Sequence, residues 1–225
     1  MQDAVRHDDI LGFILQVQRL NGFALKGDIV SASLGSAVLA YILPPIIERI
    51  RFAYPEVQVE ILSSNEVQDL RRREADIAIR NVKPTHPDLI AKRVRTSPGR
   101  LYGATSYLDR IGRPESIKEF GEETTFIGDT NGRVLQMLTT MGAPIAAEQF
   151  NIVANSGVAM WELVKRGVGL AVMFKDIADI TPEVEVVLPK EISVDVPVWL
   201  VAHRELKTNS RIRAVFDILS EELSA

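Results

Sequence analysis

Residues 41–80 read YILPPIIERIRFAYPEVQVEILSSNEVQDLRRREADIAIR, and this stretch decides the fold. Its first third is apolar at helical spacing, with a branched side chain every four residues at Ile42, Ile46 and Ile50. Pro44 and Pro45 fit only the first turn of that helix, where the missing N–H group has no partner to lose. Pro55 then ends the helix.

The remainder of the stretch predicts two strands with a short polar helix between them. Val57, Val59 and Ile61 alternate with polar residues, as they do in a strand with one buried face. The sequence of residues 77–79, Ile-Ala-Ile, indicates a strand buried on both faces. Strands joined by a crossover helix belong to a parallel sheet, so the fold class is α/β.

The same residues carry a resemblance to a known family. A helix with LPP, then YPEVQVE, a loop with serine, a DL pair and finally DIAIR together resemble the effector-binding domain of LysR-type transcriptional regulators. The resemblance is to the subgroup whose second crossover ends in AIR. It implies two Rossmann-like lobes joined by two crossing strands, similar to periplasmic type-2 binding proteins, with a ligand cleft between the lobes.

The domain organisation combines the patterns with this resemblance. Apolar residues at near-helical spacing over 2–20 predict an amphipathic helix, and the resemblance implies that 1–22 is a remnant of the linker helix. The alternative is an N-terminal helix that packs on its own domain. We expect lobe I to comprise 28–101 plus 203–225, and lobe II to comprise 102–202.

Several further elements follow from local patterns. We expect the first strand at 28–33 and two separate strands at 89–94 and 101–104. Thr105 or Ser106 is the expected N-cap of the next helix. A helix over 156–166 ends at Gly167, which suits the left-handed position after a helix.

Small polar residues follow the predicted strands of both lobes. In α/β sheets, ligands collect beyond the carboxyl ends of strands, where helix N-termini present unpaired N–H groups. The expected effector-binding residues are Ser33, Ser36, Ser64, Asn65, Arg80, Thr130, Asn131, Asn155 and Ser156. These hydroxyls, amides and one guanidinium suit a small polar or anionic ligand.

Each candidate also has a structural explanation. Serine and asparagine at helix starts are common N-caps and need no ligand. Arg80 is a cation at the end of a buried strand and therefore needs a partner, which is either a ligand or a salt bridge to Glu66 or Asp69. Asn81, directly after AIR, and the loop around Lys83 depart from the family pattern, so the ligand of a relative does not transfer directly.

Composition and motifs argue against several other functions. The chain of 225 residues has no cysteine and a formal net charge of -4, so neither a thiolate metal site nor a basic DNA-binding surface is indicated. His7, His86 and His203 lack metal-ligand spacing, and His203 is expected to be a hinge or surface residue. We predict no catalytic residue, no metal and no cofactor. The alternatives are a two-lobed transferase using the loop 128–132 with Asp129, or a solute-binding protein.

The expected partners are a small-molecule effector and further copies of the chain, in a homodimer or a tetramer. No helix-turn-helix, signal peptide or membrane span is visible, so DNA binding is expected only through an N-terminal domain outside this sequence, and the location is expected to be cytoplasmic. The resemblance implies a dimer that pairs lobe I with a neighbour's lobe II. Val38, Leu43 and Ile47 are candidates for that surface, with a core position as the alternative.

Overall fold

The computed structural model describes residues 29–34, 36–63, 76–204 and 209–224. The strands are β1 (Ile29–Leu34), β2 (Gln58–Ser63), β3 (Ile77–Arg80), β4 (Leu89–Ala104), β5 (Ile127–Asp129), β6 (Ile152–Ala154), β7 (Ala171–Phe174), β8 (Val184–Val187) and β9 (Ser193–His203). The α-helices are α1 (Ser36–Tyr41), α2 (Leu43–Ala53), α3 (Thr105–Ile111), α4 (Arg133–Thr140), α5 (Gly157–Lys165), α6 (Lys175–Ala178) and α7 (Ser210–Glu222). Two 3-10 helices span Ile117–Glu119 and Ala147–Gln149.

The chain forms two compact units. Unit 1 comprises Met1–Thr96 and Pro197–Ala225, and unit 2 comprises Ser97–Val196. Strands β4 and β9 each pass from one unit into the other. The unit borders lie a few residues before the lobe borders expected from the sequence.

Unit 1 is built on a mixed sheet in the order β2-β1-β3-β9, with β4 next to β9. Strand β1 is parallel to both β2 and β3, whereas β3 is antiparallel to β9. Helices α2 and α7 contact each other and share one aliphatic core with β3 and β9. The parallel strands β2 and β3 agree with the prediction from residues 41–80. The short polar helix expected between them and the helix expected over 2–20 lie outside the described residues.

Helix α2 begins and ends where its prolines require. Pro44 and Pro45 occupy the first turn, and the helix ends at Ala53, just before Pro55. Leu43, Ile46 and Ile50 form its buried face, while Ile42 is the N-cap. Leu43 is only 1% exposed, so the suggestion that it forms an oligomer surface is wrong. Val38 and Ile47 are half-buried and pack against the same core.

Unit 2 combines an antiparallel and a parallel pairing. Strand β4 is antiparallel to β7 and to β8, and β5 is parallel to β6. A parallel bridge between Phe126 and Leu170 lies just before β5 and β7. The core is largely aliphatic and includes an aromatic cluster, in which Phe126 is stacked on Phe150 and packed edge-on against Phe120.

Two local predictions need correction. The strands expected at 89–94 and 101–104 are one continuous strand, β4, because the segment containing Pro98 stays extended; Gly99 pairs with Phe174 of β7. Helix α3 has Ala104 as its N-cap and no side-chain cap, so neither Thr105 nor Ser106 has that role. The Thr105 amide instead donates to the carbonyl of Glu183, a partner distant in sequence.

Candidate functional site

The carboxyl ends of three parallel strands meet at one edge of unit 1. Ser33 of β1 lies opposite Leu62 of β2 and opposite Ala78 of β3. The end of β1, the end of β2 and Arg80 at the end of β3 are therefore level with one another. Helix α1 begins just beyond this edge, at Ser36.

Arg80 is a charged residue at this edge, in the part of the chain that the structure describes. It is half-buried, its Nε atom is shielded from solvent, and it lies opposite Trp199 of β9. Residues directly opposite in an antiparallel pair have their side chains on the same face of the sheet. The guanidinium is thus held at a strand end beside an aromatic residue, and a guanidinium can bind a carboxylate through two parallel N–H groups.

Part of the predicted set lies outside the described residues. Ser64 and Asn65 belong to this part, as do Glu66 and Asp69, the alternative ion-pair partners of Arg80. The described backbone brings Ser33, Ser36 and Arg80 to the same edge of the sheet.

Unit 2 has a corresponding edge, where β5 and β6 end together. Asp129 is opposite Ala154 in their parallel pairing. The loop with Thr130 and Asn131 leads from β5 into α4, and the loop with Asn155 and Ser156 leads from β6 into α5. Thr130, Asn131 and Asn155 are exposed, and Ser156 is half-buried. All four predicted residues of this unit therefore lie at one edge.

The two helix N-termini at this edge are capped differently. The Asp129 carboxylate accepts the amides of Asn131 at 3.3 Å and Val134 at 3.1 Å, and Arg133 Nε lies 3.6 Å from it. The Ser156 hydroxyl oxygen accepts the amide of Ala159 at 3.3 Å.

The electrostatic consequence differs between the two helices. A carboxylate offsets the partial positive charge at the start of α4, whereas a neutral hydroxyl leaves that charge in place at the start of α5. The N-terminus of α5 is therefore the more favourable of the two for an anion. The N-cap residue of α4 is Gly132, and the Asp129 carboxylate caps this end from three residues earlier by accepting the Val134 amide of the first turn.

Two contacts near Arg80 were not anticipated. Lys83 Nζ lies 5.7 Å from the centre of the Trp199 ring, and Asn81 Nδ2 donates to the carbonyl of Pro197 at 3.3 Å. The sequence feature that pointed to these contacts was the departure of Asn81 and the loop around Lys83 from the family pattern. Its partners on β9 depend on strand register, which is not visible in sequence.

The histidines in the described residues have local roles. His86 Nδ1 accepts the Asp88 amide at 3.3 Å, and half-buried His203 is the last residue of β9. Within the described parts of the chain, no group of three or more His, Asp or Glu side chains is placed to hold a metal ion. None of the described helices is long and apolar enough to cross a membrane.

Comparison with protein families gives a match over most of the chain. The family model described as LysR substrate binding domain matches residues 30–224. The chain is 26% identical over 193 residues to the HTH-type transcriptional regulator CrgA of Neisseria meningitidis serogroup C (strain 8013), covering 83% of this chain and 64% of that relative. An HTH-type transcriptional regulator of Xanthomonas campestris pv. campestris (strain 8004) is 31% identical over 72 residues, which cover 32% of this chain and 21% of the relative.

Solved structures agree on the fold. The CrgA regulatory domain from Neisseria meningitidis superposes with a TM-score of 0.76 at 22% identity, covering 87% of this chain and 98% of that domain. The regulatory domain of the C227S variant of AphB from Vibrio vulnificus gives a TM-score of 0.67 at 13% identity, covering 86% of this chain and 99% of that domain. Together with the family match, these similarities confirm the predicted α/β fold of the periplasmic type-2 binding-protein kind.

Proposed function

We propose, since this chain belongs to the LysR substrate binding domain family, that it senses a small polar or anionic effector for a transcriptional regulator. The family and the relatives named as transcriptional regulators make it an effector-binding domain and not an enzyme. Its place in the AIR subgroup stays a prediction. The chain spans 64% of the length of the first CrgA relative, so DNA binding by a further N-terminal domain is part of the proposal.

The observation that carries the proposal is the position of Arg80 at the edge where β1, β2 and β3 end together. A cation at the carboxyl ends of parallel strands is a favourable anchor for a carboxylate. The N-terminus of α5, with its neutral cap, is the corresponding anion-favouring feature in unit 2. We therefore assign Ser33, Ser36, Ser64, Asn65 and Arg80 to the effector's contacts with lobe I, and assign the unit 2 set Thr130, Asn131, Asn155 and Ser156 to its contacts with lobe II.

The proposed mechanism is a ligand-dependent shift between two arrangements of the lobes. We assign unit 1 to lobe I, unit 2 to lobe II and residues 1–22 to the linker helix. An effector in the interlobe cleft changes the balance only if its affinity differs between the two arrangements. The oligomer then passes the change to DNA-binding domains in the cytoplasm.

A thermal-shift screen of small carboxylates and aromatic acids tests the sensing function. A ligand that binds only the folded state stabilises it and so raises the melting temperature. The stabilisation is about 2.7 kcal/mol at a ligand concentration one hundred times Kd. Each acid is paired with its neutral primary amide as a control for non-specific effects. We expect at least one acid to raise the melting temperature more than its amide. A panel in which no acid does so contradicts the anion preference.

Light scattering tests the proposed self-association. Phe52 on α2 is 91% exposed and replaces Leu43 as the apolar candidate on this helix. A charge placed inside an apolar contact is strongly destabilising, so Phe52→Glu is expected to shift a dimer towards monomer. Arg166→Glu, at an exposed position of unit 2, is the control for charge alone. A wild-type chain that stays monomeric at high concentration contradicts the association.

A further inference from the structure

We propose that residues 81–88 form a strap across β9 whose Asn81 anchor positions the Arg80 guanidinium. Asn81 is thus a positioning residue, and Lys83 is the second anchor of the strap. The inference deepens the proposed function and rests on it, because it explains how Arg80 is presented to an anion. It concerns unit 1 alone.

The strap follows from the strand order. Strand β9 lies between β3 and β4, so the chain that leaves β3 at Arg80 must cross β9 before β4 begins at Leu89. The connection has no helix of its own in the structure. A short crossing of this kind holds its shape only through contacts with the strand beneath it.

Three contacts tie the strap to β9 and the residue after it. Asn81 Nδ2 donates to the Pro197 carbonyl at 3.3 Å. Lys83 Nζ lies over the Trp199 ring, 5.7 Å from its centre. At the far end, the Arg204 amide donates to the Asp88 carbonyl at 2.8 Å. The strap is therefore held at its beginning, its middle and its end.

The first anchor is next to the proposed effector contact. Arg80 and Asn81 share a peptide bond, so fixing the Asn81 side chain on Pro197 also fixes the backbone from which the Arg80 side chain extends. A fixed backbone limits the directions in which the Arg80 side chain can leave the strand, and so favours fewer guanidinium positions. Two positively charged residues also lie around one residue of β9. Arg80 is opposite Trp199 in the strand pairing, and Lys83 lies over the Trp199 ring.

The test measures solvent exchange of the Arg80 Nε–H group by ¹⁵N NMR, without any ligand. The Nε atoms of Arg80 and Arg100 are both buried, and Arg100 lies in unit 2, so its Nε–H is an internal control. The Arg80→Lys variant lacks the Arg80 Nε–H group, so the cross-peak that disappears in its spectrum is the Arg80 signal. The variants are Asn81→Ala, Asn81→Leu and Lys83→Met. Asn151→Ala and Lys190→Met, at exposed positions of unit 2, are the matched controls.

We expect Asn81→Ala and Asn81→Leu each to accelerate Arg80 Nε–H exchange by roughly tenfold, the effect of losing one hydrogen bond. Leucine has nearly the shape of asparagine but no amide donor and no charge, so it separates hydrogen bonding from space filling. Lys83→Met is expected to accelerate exchange by roughly two- to fivefold, as for an exposed cation–π contact. The Arg100 signal and the two control variants are expected to stay unchanged.

Three results overturn the strap. Arg80 exchange that is unchanged in both Asn81 variants shows that the anchor does not position the guanidinium. Wild-type exchange in Asn81→Leu alone shows that Asn81 only fills space. Equal acceleration at Arg100 shows general loosening of the fold.

The proposed function can fail separately from the strap. If Arg80→Ala leaves acid binding unchanged, the effector role of Arg80 is wrong, whatever the exchange rates are. If Arg80→Ala weakens acid binding and the Asn81 variants leave exchange unchanged, the strap is wrong and the effector role stands.

Discussion

The strand-end edges of the two units use different means to favour an anion. Unit 1 presents a full positive charge on a side chain, Arg80 at the end of β3. Unit 2 presents backbone N–H groups at the starts of α4 and α5, of which α4 is already capped by the Asp129 carboxylate. Loss of a side chain that contacts the ligand lowers affinity more than stability, whereas loss of a helix cap lowers stability. Substitutions at the two edges should therefore separate affinity from stability.

The largest expected effect is on affinity at the unit 1 edge. Arg80→Ala removes a charge-assisted contact that contributes about 1.5–3 kcal/mol, so affinity for an anionic effector should fall by roughly ten- to hundredfold. Isothermal titration calorimetry measures this fall, with Arg166→Ala as the control arginine. The melting temperature of the unliganded variant should change little. If Arg80 is instead a structural ion-pair partner, the variant melts many degrees lower and binds the effector normally.

The next largest effect is on the stability of unit 2. Asp129→Ala removes the acceptor of two backbone amides, and unfolding free energy should fall by about 1–2 kcal/mol in urea denaturation. Asp129→Asn keeps one oxygen acceptor and should cost less. Asp129→Asn should leave effector affinity almost unchanged, because the effector contacts assigned to this loop are Thr130 and Asn131 and not the Asp129 side chain. A loss of affinity in Asp129→Asn without a loss of stability would reverse the assignment of Asp129.

Ser156→Ala should give a smaller effect on stability together with an effect on affinity. The hydroxyl caps α5 through the Ala159 amide, so its loss is expected to lower unfolding free energy by about 1 kcal/mol. Because we propose that the effector also contacts this N-terminus, calorimetry should show weaker binding. Ser116→Ala removes the cap of a 3-10 helix at another place in unit 2 and is the matched control. Equal behaviour of the two variants in binding would restrict Ser156 to capping.

These expectations also show how far the sequence alone could go. The prolines of α2, the alternating residues of β2 and the apolar run of β3 predicted these three elements correctly, because each signal lies within the element itself. Ser156 was correctly placed at a helix start, since an N-cap acts within three residues. In contrast, Thr105 was predicted to cap α3. The structure shows that its backbone amide donates to the carbonyl of Glu183, a residue too distant in sequence for a local pattern to reveal. Two strands were expected at 89–94 and 101–104, whereas Ser97 between them is buried in the continuous strand β4 and donates to Asp176 at 2.6 Å.

The candidate site was predictable only in its residue types. Arg80 stood out because a cation followed a buried strand. Its neighbour Trp199 is set by the antiparallel register of β3 and β9, which no local pattern reveals. The capping role of Asp129 also needed the structure, because the sequence allowed a second role for this carboxylate, in the active-site loop of a two-lobed transferase.

The smallest expected effect is a pH dependence confined to the surface of unit 2. Arg113 donates to Glu185 and Asp109, and this lowers the pKa of Glu185 from 4.5 to about 2. A lowered pKa in the folded state contributes stability above the unfolded pKa, and that contribution disappears as pH falls from about 4.5 to about 2. Melting temperatures of the wild type and Glu185→Gln should therefore converge over this range. The pair is exposed, so the difference is small. A constant difference from pH 6 to pH 2 would contradict the assignment.

The most direct test of the central claim is a cycle of two ligands and two proteins. The tightest acid from the screen and its neutral amide are each titrated into the wild type and Arg80→Ala by calorimetry. If Arg80 binds the carboxylate, the wild type prefers the acid by roughly ten- to hundredfold and the variant loses most of that preference. If the preference for the acid is the same in both proteins, Arg80 does not contact the effector's charge and the central claim is wrong.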